Sequence, residues 1–163
     1  MDAYNPETWH EFFVMIGGAS AALAGLIFVA VSLNHEEILK YAALPSLAAR
    51  TLWVLIGVVL LSAFGLVPGQ SALVLGIEIL ALGVVLMTGV LITAIRHARH
   101  SERLWWKVSL LSIAIASTLP MVVAGASLAA GVGGGLYWAL AEVVLGLVAS
   151  MYNAWILLIE IRR

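Results

Sequence analysis

Glu78 and Glu142 are the residues on which chemistry in this sequence would rest. Each sits seven residues after a turn, Ser71 to Glu78 and Gly135 to Glu142, inside a long apolar run. At 1.5 Å per residue both lie roughly 10 Å beyond their turns, which places them at one level of a bilayer. Ionisable groups at that depth are costly and face a bundle interior or a water-filled cavity. No Lys or Arg lies near either turn, so the sequence offers neither carboxylate a conventional salt bridge. Four states remain: a protonated carboxyl, hydrogen bonds to hydroxyls or backbone, a contact with His10 at the outer mouth, or a bound cation. The first two are structural; the last two imply a pathway or a binding site.

The neighbours of Glu142 extend the pattern. At about 100° per residue, Glu142, Ala149, Asn153 and Glu160 share one helix face, with Gly146 and Ser150 beside it. A small and polar stripe of this kind suits a helix–helix contact, a seam between protomers or a narrow hydrated path. Asn153, as a lone buried amide, reads first as an interhelical hydrogen bond. Glu78, Gly89 and Arg96 align less richly. His97 and His100 are three apart and could share a metal, but the basic residues around them favour solvated imidazoles.

Other chemistry is missing from the sequence. There is no cysteine, no Gly-rich phosphate loop, no nucleophile–base pair, no His-Glu zinc helix and no haem attachment motif. Neither an enzyme nor a cofactor is expected. The basic residues serve topology, so nucleic acid is not implied.

The composition says what must position these groups. Of 163 residues, 63% are hydrophobic and 10% charged, with a mean hydropathy of +1.09. A soluble domain carries about 25% charged residues, so the solvent for this chain is lipid. The spacing of charges and turns predicts an all-α fold in one membrane domain. Five transmembrane helices are expected, over about 12–33, 46–67, 72–95, 104–130 and 136–159. Asn5 with Pro6, or Thr8 with Glu11 as a capping box, would open the first. Trp9, Phe12 and Phe13 would mark its interface. That helix is too long and too poor in basic flanking residues for a cleaved signal, and reads as a retained span. In it, Gly17, Ala21 and Gly25 fall four apart, a stripe suited to close packing within a protomer or between protomers. Leu44-Pro45 should end one short helix and start the next. Pro120 should kink the fourth span. The stretch 131–135 reads as a flexible outer turn.

Orientation follows from charge. All eight Lys and Arg residues (Lys40, Arg50, Arg96, Arg99, Arg103, Lys107, Arg162 and Arg163) fall on one side of this five-span scheme. The positive-inside rule puts them in the cytoplasm, with the N-terminus outside and the C-terminus inside. An integral protein of the cytoplasmic membrane is expected. Arg96, Arg99, Arg103 and Lys107 form a loop that could also hold anionic lipid headgroups. Two hairpins, opening at Arg50-Thr51-Leu52-Trp53 and at Arg103-Leu104-Trp105-Trp106, look alike: each turns at glycine and carries its Glu seven residues after the turn. This is either an internal repeat or the common consequence of the topology rules.

The stretch Trp9-His10-Glu11-Phe12-Phe13, followed by the run from Gly17-Gly18-Ala19-Ser20 to Val31-Ser32-Leu33-Asn34, resembles the opening of a group of small bacterial multi-spanning proteins. Some of these carry the label modulator of FtsH protease. The likeness covers the first helix, about a fifth of the chain. It implies a regulatory partner of a membrane protease. Two functions are thus in view. One is an oligomeric channel or transport-type protein for a proton, cation or small solute. The other is a non-conducting regulatory or scaffold protein with both carboxyls structural.

Overall fold

The computed structural model describes residues 2–40, 44–99, 105, 108, 112 and 115–160, without the side chains of 37, 46, 93–94, 96–99 and 156–160. These residues form helices and turns, with no strand among them. The elements are a 3-10 turn Pro6–Trp9, α1 His10–Leu33, α2 His35–Lys40, α3 Leu44–Gly65, α4 Ala72–Arg99, α5 Leu119–Ala130 and α6 Leu136–Glu160. Four stretches are long and apolar enough to cross a membrane: Pro6–Leu33, Leu47–Gly65, Ala72–Ile92 and Leu136–Trp155. Leu26, Phe28, Val85, Leu145, Val148 and Trp155 are all more than half exposed. Large side chains turned outward along long apolar helices are what lipid contact requires. This is an all-helical membrane protein.

The chain forms two compact units: Met1–His10 with Val67–Glu142, and Glu11–Leu66 with Val143–Arg163. In the second unit, α1 meets α3 where small residues let them approach. A Cβ on Gly17 would collide with the Ser62 side chain, and one on Gly65 would lie 2.5 Å from the Phe13 ring. Ser62 Oγ donates to the Phe13 carbonyl at 2.6 Å. Phe13, Ile16, Leu55, Val58 and Leu61 are buried. The chain leaves α1 through Asn34, whose side-chain amide donates to the Ala30 carbonyl at 2.8 Å. Ile38 of α2 then packs with Leu44 and Ala48 of α3. Pro45 stands in the first turn of α3, where its missing N–H is not needed. The residues between α2 and α3, on which the boundary expected at Leu44-Pro45 depends, lie outside the described residues.

α6 belongs to the second unit from Val143 onward. A Cβ on Gly146 would lie 3.0 Å from Val54 Cγ1. Asn153 Nδ2 donates to Thr51 Oγ1 at 3.1 Å, and Thr51 Oγ1 donates to the Leu47 carbonyl at 2.8 Å. Asn153 is therefore an interhelical bond between α6 and α3. Such bonds average about 0.6 kcal/mol in membranes, reaching about 1.7. Asn153→Leu is expected to lower stability by about 1 kcal/mol, read as a shifted unfolding midpoint in detergent.

In the first unit, α4 and α5 pack tightly along three close approaches. A Cβ on Gly76 would lie 2.5 Å from the Ala129 amide nitrogen. One on Gly125 would lie 2.6 Å from Leu80 Cα, and one on Gly83 would lie 3.0 Å from Met121 Cγ and the Val122 nitrogen. The pairs 76 with 129, 80 with 125 and 83 with 121–122 advance in opposite senses, so the helices are antiparallel. Lipid supplies no hydrophobic drive between helices, and contacts of this closeness hold them instead.

Two expectations change in this unit. The kink foreseen at Pro120 is a break. Residues 117–118 form a turn closed by Thr118 N–H on the Ile115 carbonyl at 3.1 Å, and α5 starts afresh at Leu119 with Pro120 in its first turn. Proline has no N–H for the Ala116 carbonyl and its ring crowds that oxygen, so the helix stops and restarts. α5 has 12 residues, about 18 Å, short of the roughly 30 Å hydrocarbon core.

The turn foreseen as flexible is tied down at several points. Gly131 caps α5 in the left-handed region at φ 68°. Ser127 Oγ donates to the Val132 carbonyl and accepts from the Gly135 N–H. Tyr4 Oη accepts from the Gly134 N–H at 2.8 Å, and the Ala3 carbonyl accepts from the Leu136 N–H at 3.0 Å. A Cβ on Gly135 would strike the Ala3 carbonyl. Asn5 accepts from the Glu7 N–H at 3.1 Å and opens the 3-10 turn. Trp9, expected at the interface, is buried edge-on against Tyr137 at 5.1 Å.

Candidate functional site

The restart of α5 places a helix N-terminus beside a buried carboxylate. A helix N-terminus leaves its first amides without intrahelical acceptors and carries roughly half a positive charge. Pro120 removes one such donor by having no N–H. Glu142 supplies the acceptor for another: its carboxylate takes a hydrogen bond from the Met121 backbone N–H. Glu142 is only 7% exposed and lies within the candidate span Leu136–Trp155. Its Oε2 is fully buried and has no hydrogen-bond partner among the described residues. A buried polar atom left unmatched costs about 1–3 kcal/mol. The carboxylate is thus tied to a helix end through the Met121 N–H, and its second oxygen is buried without a partner among the described residues.

The positioning has a clear chain of causes. Pro120 stops the preceding helix. Gly76, Gly83 and Gly125 bring α5 against α4 and set its height. The turn through Gly131 and Gly135 reverses the chain, so that Glu142 on α6 returns beside the first turn of α5. Met121, the donor, is buried.

Glu78 is held differently. Its Oε2 accepts from Gln70 Nε2 at 2.6 Å, and the residue is partly exposed. Gln70 sits in the turn before α4, and its own Oε1 is buried without a partner. Gln70→Leu removes the donor and is expected to destabilise by about 1 kcal/mol, seen as a lowered thermal midpoint that Glu78→Gln does not add to.

The remaining residues singled out from the sequence are dispersed. Asn153 is bonded to Thr51, and Ser150 is buried on the same helix. Gly146 packs on Val54. Gly17 packs on Ser62, whereas Ala21 is exposed and a Cβ on Gly25 would meet nothing within 4 Å. His10 is exposed at the start of α1. Arg103 and Lys107 lie outside the described residues, as do the side chains of Arg96, Arg99 and Glu160. Among the described residues no group of three or more His, Cys, Asp and Glu is placed to hold a metal ion. Gln70 and the Met121 amide escaped the reading of the sequence. Gln70 left a usable signal, a lone amide in a turn eight residues before a membrane Glu. A backbone N–H leaves none until the break at Pro120 is known.

The chain stands apart in all three comparisons: no protein-family model, curated protein or solved structure matches it.

Proposed function

We propose that the protein is a transport-type integral membrane protein for a proton, cation or small solute, with Glu142 as its exchanging group. One observation carries this reading. A carboxylate inside a candidate membrane span accepts from the Met121 N–H in the first turn of a restarted helix, and its Oε2 is buried without a partner among the described residues. Interrupted helices whose ends meet polar groups at membrane depth are a recurrent way to build ion and substrate sites. Ionisable groups there mark pathways by default. Glu78 is the second candidate at comparable distance from its turn, and the α6 face through Asn153 and Glu160 gives the direction of a route. Reconstituted protein is expected to carry flux that Glu142→Gln abolishes.

The finer topology belongs to the same proposal. Five crossings, with the N-terminus outside and the C-terminus in the cytoplasm, put every Lys and Arg on the inner face of the cytoplasmic membrane. Arg96, Arg99, Arg103 and Lys107 then face anionic lipid. The exposed small-residue stripe at Ala21 and Gly25 is the surface through which protomers would associate. Gly25→Val is expected to change the mass of the detergent-solubilised particle while leaving the unfolding midpoint nearly unchanged.

A second reading has its own support. Gln70 on Glu78 and Asn153 on Thr51 use polar groups to hold the fold. A non-conducting regulatory or scaffold protein, such as the protease modulator implied by the resemblance of α1, would need no more from them.

A further inference from the structure

We infer that the open Oε2 of Glu142 is a proton-binding site, held at the break in the membrane helix by the Met121 amide, and that the species it takes is a proton and not a metal cation. This rests on the reading of Glu142 as the exchanging group and names its ligand.

Three features select a proton. The first is the number of oxygens. A calcium or magnesium ion takes about six or more oxygen ligands, while Glu142 presents one open oxygen. No acidic or imidazole cluster accompanies it among the described residues. The second is the sign of the surroundings. The first turn of α5 presents the Met121 N–H and the positive end of the helix to this carboxylate. That field repels a cation with a fixed charge. A proton instead joins the oxygen covalently and leaves a neutral acid.

The third feature is that the anchor serves both states. The Met121 N–H donates to a carboxylate oxygen and, more weakly, to the carbonyl oxygen of a carboxylic acid. Protonation forms one O–H bond at Oε2 and breaks nothing in the scaffold. Few charges intervene. α5 carries no titratable side chain. α4, packed against α5, carries only Glu78 before Arg96, and Gln70 holds Glu78. Tyr137 is the other titratable residue on the same stretch of α6, one turn before Glu142, and its ring meets Trp9.

The test is infrared titration of the full-length protein in lipid vesicles, from acid to alkaline pH. The site predicts a carboxylic-acid carbonyl band from a dehydrated group. The band is lost reversibly on alkalinisation, is absent in Glu142→Gln and persists in Glu78→Gln. Glu142→Asp, which keeps the acid, should move the band without removing it, and so covers the case in which the glutamine variant does not fold. A native protein with no such band at any pH, or a band that survives in Glu142→Gln, overturns the inference. So does a carboxylate band of Glu142 that shifts with sodium, potassium or calcium at constant pH. The band without flux would contradict transport and leave the proton site standing. Flux without the band would do the reverse.

Discussion

Gly125→Val is expected to cost about 3 kcal/mol of stability, the largest effect of any single substitution in the α4–α5 pair. The reason is what a side chain at 125 would strike. The nearest atoms are the Leu80 nitrogen, Leu80 Cα at 2.6 Å and the Gly76 carbonyl oxygen at 2.8 Å. All belong to the backbone of α4, so no rotamer change clears them and the helices must separate. Overpacking in a tight interior costs about 1–3 kcal/mol where side chains can yield, and here they cannot. The better helix propensity of valine over glycine recovers only a few tenths of that. Gly89→Val, on α4 itself, is the matched control, since its Cβ would meet nothing within 4 Å. Unfolding titrations in mixed micelles should show a markedly lower midpoint for the first variant and little change for the second. Equal midpoints would show that α4 and α5 do not approach as closely as described. The break at Thr118 should feel the change too, because α5 is positioned by this contact and Glu142 is positioned by α5.

Much of this was legible in the chain. Long apolar runs between turns give the helices, since lipid demands segments that satisfy their own backbone groups. Asn5-Pro6 and Leu44-Pro45 mark helix starts through the same chemistry, a donor that is missing where it is not needed. Glu78 and Glu142 stood out because a charge inside an apolar run is expensive. What stayed hidden was pairwise. Gly76, Gly83 and Gly125 look no different in sequence from Gly89, beside which the structure leaves open space. Only the register of α4 against α5 separates them. The stripe at Gly17, Ala21 and Gly25 was the more visible pattern, yet Gly17 packs inside the chain while Gly25 faces outward. Pro120 was read as a kink because bends are the common outcome mid-helix. The break follows only when the chain on its far side has somewhere to dock, here on α4. The turn at 131–135 seemed flexible from its glycines, and it is ordered by Ser127, Tyr4 and Ala3, the last two 130 or more residues away in sequence.

Glu142→Gln carries the second large effect, and it is on activity. Glutamine keeps the size of the side chain and can still accept from the Met121 N–H through its amide oxygen. It cannot bind and release a proton. Structure and assembly should therefore survive while exchange is lost. Glu142→Ala is a poorer probe, because it strips the first turn of α5 of its acceptor and leaves a cavity beside Met121. Loss of function there would mix chemistry with folding.

The most direct measurement is proton and cation flux into proteoliposomes under an imposed potential, comparing the native protein, Glu142→Gln and Glu78→Gln at matched folding and oligomeric state. The account predicts flux in the native protein, at least about tenfold less in Glu142→Gln, a barrier increase of about 1.4 kcal/mol or more, and a smaller change in Glu78→Gln. Absence of flux across pH and voltage in a well-folded native protein, or native flux in Glu142→Gln, would contradict it.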